Sequence, residues 1–182
     1  MKLALCGTHS TGKTTLMREL KAQNILENYK YLPEITGTLK EKGFLINEAG
    51  TLETQIMVMN ANIENLLCND DFIVDRCILD GYAYTRWLHL HKEGTIPEWF
   101  ARYANELAER YVASYDHIFF LPIEFDVEDD GVRSTQPQFR EQVNNLLTNK
   151  IELHRYPNMH VIGGTIQQRV EQISAILGVK HE

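Results

Sequence analysis

The stretch LALCGTHSTGKTT, residues 3–15, leaves this chain few folds. Leu3 to Cys6 is an apolar run of strand length, Gly7 and Gly12 bracket a polar turn, and Lys13 opens a segment of helical period that runs to Asn24. Gly7, Gly12, Lys13 and Thr14 complete the pattern GxxxxGK[ST] in its required context, a short strand before and an amphipathic helix after. Glycines let the backbone turn so that successive N–H groups converge on one anion. Those groups lie at a helix amino terminus, where unsatisfied donors and the dipole both favour negative charge. The stretch therefore reads as a nucleotide phosphate site, with Lys13 bridging the β- and γ-phosphates and the Thr14 hydroxyl ligating Mg²⁺. His9, the odd residue of the turn, reads as an exposed spacer first and a phosphate or acceptor contact second.

Beyond this turn, short β-rich runs alternate with helical segments. The runs are Tyr29 to Ile35, Phe72 to Arg76, His117 to Pro122 and Met159 to Gly164. The segments are Leu52 to Leu67, Asp80 to His91, Pro97 to Ser114, Gln138 to His154 and Ile166 to Leu177. Alternation in this order predicts parallel strands joined by right-handed crossovers, a three-layer α/β domain with a five-stranded parallel sheet and helices on both faces. With 182 residues there is room for one domain, taken as residues 1–182. Glu124 to Phe139 breaks the pattern with five carboxylates among its first seven residues, and a polar loop of that length predicts a lid around residues 124–140.

In an open parallel sheet, ligands gather at the carboxyl ends of the strands, so residues that end strands are the next candidates. Asp75 in FIVDR would hold Mg²⁺ through water or accept the acceptor's proton, and Arg76 would contact phosphate or brace the site. Glu34 in LPEITG could position or deprotonate a substrate hydroxyl. Tyr82, Tyr84, Arg86 and Trp87 follow Asp75 closely and offer aromatic faces and a guanidinium to a stacked acceptor ring. Arg133, in DDGVRS, could be swung in by a closing lid to stabilise the charge of a transferring phosphoryl group, and Arg140 is a weaker candidate of the same kind. The Gly163–Gly164 turn would let a flat ring approach the backbone, as an adenine pocket needs.

Composition narrows the partners. A formal net charge of −7 and a pI of about 5.5 argue against a surface that tracks a phosphate backbone, so nucleic acid is the second choice behind a nucleoside-like small molecule. No run of 18 apolar residues predicts a membrane span, and the apolar start ends at Gly7, short of a signal peptide. Cys6, Cys68 and Cys77 have neither disulfide nor metal-ligand spacing and read as reduced, buried thiols in a cytoplasmic protein.

In Gly7 to Thr14, Glu34, VDRCILDGYAY, DGVR and VIGGTIQQRVEQI, the chain resembles the AAA-type P-loop kinase family of the ribosylnicotinamide kinase domain. The resemblance implies a three-layer P-loop NTPase fold, ATP phosphate contacts by Thr8, His9, Ser10, Thr11, Gly12, Lys13, Thr14 and Thr15, Mg²⁺ at Thr14 with Asp75, and acceptor contacts at Glu34 and Arg76. It further implies a lid at Arg133 and an adenine-side contact at Arg169. Cys77 departs from the small residue common there, and EITGTL lacks the arginine often found after the glutamate. The expected activity is an ATP- and Mg²⁺-dependent kinase acting on a nucleoside, nucleotide or related riboside. Lys13, Asp75, Glu34 and Arg133 are its catalytic residues, with Tyr82 and Arg86 on the acceptor. The alternatives are a nucleic-acid kinase acting on a DNA end or a hydroxymethylated pyrimidine, and a nucleotide switch with no acceptor.

Overall fold

The computed structural model describes residues 1–124 and 136–179. Five strands, β1 (Lys2–Cys6), β2 (Lys30–Leu32), β3 (Phe72–Asp75), β4 (His117–Phe120) and β5 (Met159–Val161), form one parallel sheet in the order β2-β3-β1-β4-β5. Around it lie α1 (Lys13–Ala22), α2 (Ile35–Glu41), α3 (Leu52–Cys68), α4 (Ile78–His91), α5 (Glu98–Tyr111), α6 (Pro137–His154) and α7 (Ile166–Leu177).

Side chains alternate across β1 and assign its two faces to different cores. Leu3 and Leu5 pack with Leu16 and Leu20 of α1 and Val170 and Ile173 of α7. Ala4 and Cys6 face the larger core built by α3, α4, α5 and α6. Both faces of the central strands are therefore buried, which is why these strands read as continuous apolar runs.

The register fixes the functional edge. Leu5 pairs with Asp75 and Leu32 with Val74, so the chain leaves β1, β2 and β3 on one side of the sheet through Gly7, Pro33–Glu34 and Arg76. Gly7 is demanded at the first exit: its φ is +141°, and a Cβ there would sit 2.6 Å from the carbonyl oxygen of Leu121.

The boundaries differ from expectation where local chemistry competes. The second strand stops at Leu32 because Pro33 can donate no ladder bond, and Ile35 starts a short helix that its Thr- and Gly-containing sequence did not advertise. Glu34 thus stands at the N-cap position of α2 rather than at a strand end. The segment ending at Ser114 closes in a 3₁₀ turn over Val112–Ser114. Cys6 and Cys77 are buried, but Cys68, the last residue of α3, is exposed, which corrects the expectation for that thiol.

Candidate active site

The turn between β1 and α1 wraps around its own lysine. Lys13 is 4% exposed, and its Nζ donates to Gly7 O at 2.7 Å, Thr8 O at 2.5 Å and Thr11 Oγ1 at 3.2 Å. Burial and the nearby Arg76 guanidinium pull its pKa down to about 8, although Asp75, Asp80 and Glu34 oppose the shift. The turn has two left-handed residues, Ser10 at φ 58° and Gly12 at φ 86°.

Beside it, the Thr14 hydroxyl donates to Asp75 Oδ2 at 2.6 Å. Asp75 is 3% exposed and its Oδ1 has no hydrogen-bond partner among the described residues. Desolvation and the charge of Glu34 raise its pKa against the pull of Lys13. The buried hydroxyls of Thr8 and Ser10 also lack partners among the described residues. These orphaned groups fit what the motif implies. Phosphate oxygens would satisfy the hydroxyls, and a divalent cation would take the free carboxylate oxygen with the Thr14 hydroxyl.

A second set of groups flanks the turn. Arg76, at φ 78°, places Nε 2.6 Å from Glu34 Oε1 and stacks its guanidinium 5.0 Å from the Tyr84 ring centre. Glu34 Oε1 also accepts from the Thr36 hydroxyl, so both contacts use one oxygen. Burial would raise the Glu34 pKa, but Arg76, Thr36 and Lys13 outweigh it and hold the carboxyl below its ordinary value. Asp80, one turn into α4, accepts from the N–H of Gly7 at 3.0 Å and from that of Cys77 at 2.9 Å, tying the start of the turn to α4.

Glu34, Arg76 and Tyr84 line a cleft with Gln55, Val58 and Asn62 of α3. Gly81 lets α4 approach α3 here, since a Cβ would meet Met59 Sδ at 2.7 Å. Arg76 is the cleft's one cation among the described lining residues, and it is already paired.

Several expected residues move. Tyr82 and Arg86, expected on the acceptor, do not line this cleft. On an α-helix they stand two residues either side of Tyr84, about 200° around the axis, and they line a separate concavity with Arg102 and Asn105 of α5. Trp87 is buried instead of facing the acceptor, stacking edge-on against Phe139.

His9 is not an exposed spacer. It is 1% exposed, stacked on Phe139, with its N–H donating to Tyr84 Oη at 3.2 Å. Since Tyr84 Oη also receives Arg76 Nη1, its single proton is assigned to His9 Nδ1, 3.1 Å away. The ring proton then sits on Nε2, a buried donor with no partner among the described residues. Desolvation, Arg76, Arg140 and Lys13 lower the His9 pKa to about 3, so the ring is neutral.

Arg169 is 0% exposed, donating to Gly164 O at 3.0 Å, Thr11 O at 2.5 Å and Glu124 Oε2 at 2.7 Å. It supports the turn from behind instead of offering a free face to a base. Gly164 donates its N–H to Glu124 at 2.8 Å. Arg140 is 5% exposed and reaches His9 O and Ser10 O. Thr15 is exposed on the first turn of α1. Arg133 and most of the lid segment lie outside the described residues. Tyr84, expected as an aromatic face for the acceptor, also bonds His9 and Arg76, and the role of Asp80 in tying the turn to α4 had no sequence signal.

No curated protein sequence matches the chain. Among solved structures it is similar to thymidylate kinase from Candida albicans, at 19% identity and TM-score 0.66 over 97% of this chain and 91% of that one. It is similar to deoxyadenosine kinase from M. mycoides, at 17% and 0.67 over 98% and 99%. It is also similar to the NadR protein in complex with NR, at 18% and 0.72 over 99% of this chain and 52% of that one. These likenesses show a shared α/β fold. A family model for the AAA domain spans residues 2–169, from the first strand through the phosphate turn to the buried Arg169, and the chain belongs to that P-loop family.

Proposed function

We propose that this chain is an ATP- and Mg²⁺-dependent kinase that transfers the γ-phosphoryl group to a hydroxyl of a nucleoside-like acceptor. The observation that carries the reading is the juxtaposition of Lys13 and the Thr14–Asp75 pair with a cleft holding Glu34. Glu34 Oε1 takes both Arg76 and Thr36, which leaves Oε2, without a hydrogen bond among the described residues, to accept the acceptor's hydroxyl proton. In that transfer the acceptor O–H bond breaks toward Glu34, an O–P bond forms at the γ-phosphorus, and the β,γ-bridging bond breaks to release ADP. Lys13 and the turn's N–H groups stabilise the spread negative charge without rearranging. The Mg²⁺ that Thr14 and Asp75 would hold supplies charge neutralisation at the phosphates when bound.

A hydroxyl fits the cleft better than an acceptor phosphate. Its carboxylates, Glu34 and Asp80, face one arginine that is already paired, so a second phosphate dianion would find no spare cation among the described lining residues. Of the structural neighbours' names, deoxyadenosine kinase supports phosphoryl transfer to a nucleoside, whereas thymidylate kinase names a nucleotide and supports only the broader class of nucleoside and nucleotide acceptors.

The test incubates the protein with γ-labelled ATP and a panel of free nucleosides, nucleoside monophosphates and oligonucleotides. Label is expected on a nucleoside, and none in Lys13→Ala. Undiminished turnover by that variant, or equally fast release of inorganic phosphate with no acceptor, overturns the reading.

A further inference from the structure

Arg140 on α6 and Arg169 on α7 are 131 and 158 positions from the residues they reach, yet they close on three consecutive carbonyls of the phosphate turn. Arg140 donates through Nε to His9 O at 3.1 Å and through Nη2 to Ser10 O at 2.9 Å. Arg169 donates through Nη1 to Thr11 O. Lys13 holds the two preceding carbonyls, of Gly7 and Thr8. Every carbonyl from Gly7 to Thr11 is thus held by a cationic side chain.

The consequence follows from peptide geometry. In a planar trans peptide the N–H of one residue points opposite to the C=O of the residue before it. Pinning the carbonyls of His9, Ser10 and Thr11 therefore aims the N–H groups of Ser10, Thr11 and Gly12 the other way, away from the arginines. None of these three N–H groups donates to any described residue. The turn also needs holding, because Ser10 is a non-glycine residue in the left-handed region, a conformation that persists only where its surroundings over-determine it. Arg140 bonds the carbonyls on both sides of that residue's Cα. Arg169 is braced in turn by Glu124 and Gly164 O, so the strand edge at β4 and the turn after β5 both bear on the same loop.

We infer that Arg140 and Arg169 are positioning residues that hold the phosphate turn in its anion-receiving shape before nucleotide arrives, acting through its carbonyls. This rests on the reading of the turn as the donor site, and assigns the two arginines to preorganising it rather than to the transferring phosphoryl group or the base. Buried guanidinium groups behind the turn add positive potential to the same place.

The test uses the full chain with Arg140→Gln and Arg140→Lys, titrated calorimetrically with MgATP and with inorganic tripolyphosphate, a probe with no base or sugar. Loss of two charge-assisted bonds is expected to weaken both probes by about 10- to 100-fold, with Arg140→Lys intermediate. kcat/KM for ATP is expected to fall more than kcat at saturating ATP, with the acceptor KM unchanged. A folded Arg140→Gln protein that binds both probes within about twofold of wild type overturns the clamp alone. A wild-type protein that binds neither probe overturns the donor-site reading, and the clamp with it. Should the variants not fold, ¹⁵N relaxation of the unliganded wild type decides. Amide order parameters near about 0.85 at Ser10, Thr11 and Gly12 are expected, and values below about 0.6 overturn the inference.

Discussion

Lys13 and Glu34 carry opposite demands at the scale of single residues. Lys13 must be charged to bind phosphate, yet burial beside Arg76 lowers its pKa to about 8. The free enzyme therefore loses its cation as pH rises through about 8, and kcat/KM for ATP is expected to fall there. Bound phosphate favours the charged lysine, so kcat at saturating ATP is expected to hold to higher pH; a pH profile of both parameters checks this. Glu34 is held below its ordinary pKa by Arg76, Thr36 and Lys13, so it is ionised through neutral pH and its acid limb lies below that of a free glutamate. Glu34→Gln keeps the shape and removes the base; kcat is expected to drop by about 10²- to 10⁴-fold, with ATP affinity nearly unchanged in steady-state and binding assays. Both residues were legible in the sequence because a motif or a strand-end position marked them. His9 was not, since its burial depends on Phe139 and Tyr84, residues 130 and 75 positions away, and no local pattern announces such a contact.

Elements were read most safely where period and capping agreed. Ile166 to Leu177 matches at both ends because Thr165 and Gln168 form a reciprocal cap and Gly178 closes the helix in the left-handed region. The helix Ile35–Glu41 went unseen because seven residues holding Thr and Gly give too short a periodic signal. Facing was harder than extent. The expected helix Asp80 to His91 matches α4 apart from its first two residues, but polar and apolar residues mix on both of its sides, so the sequence does not show that Asp80, Gly81 and Tyr84 look toward the cleft while Tyr82 and Arg86 look toward α5. The junction of β1 with the phosphate turn offers the sharpest test at this scale. In Gly7→Ala the new Cβ meets a backbone carbonyl, Leu121 O, that cannot rotate away, at a φ that L side chains rarely adopt. A loss of about 1–3 kcal/mol from backbone strain alone is expected by denaturant titration, together with lost ATP binding. By contrast, Arg86→Ala lies outside the cleft and is expected to leave the acceptor KM within about twofold, within the range of surface substitutions.

For the molecule as a whole, the sheet order decides what can meet what. Placing β1 between β3 and β4 puts the phosphate turn beside Asp75, while β2 on the far side of β3 delivers Glu34 to the opposite wall of the cleft. The groups proposed for donor and acceptor are therefore held by different elements, with α6 and α7 bracing the turn from behind. Among the described residues such a site is incompletely satisfied without its ligand: Asp75 Oδ1, Thr8 Oγ1, Ser10 Oγ and His9 Nε2 are all buried with no partner there. A ligand that completes those contacts binds only the folded state and must stabilise it by mass action, about 2.7 kcal/mol at a free concentration of 100 times Kd. For a chain of this length that corresponds to a rise in Tm of about 5–10 °C. MgATP is expected to produce this rise in the wild type and little or none in Lys13→Ala, which retains the cleft but loses the central phosphate contact. Duplex DNA is expected to produce none, because a chain of formal net charge −7 gains too little from releasing the duplex's counterions. Thermal melts of the two proteins with each ligand separate these outcomes, and a rise with DNA that fades at higher salt would move the acceptor to nucleic acid.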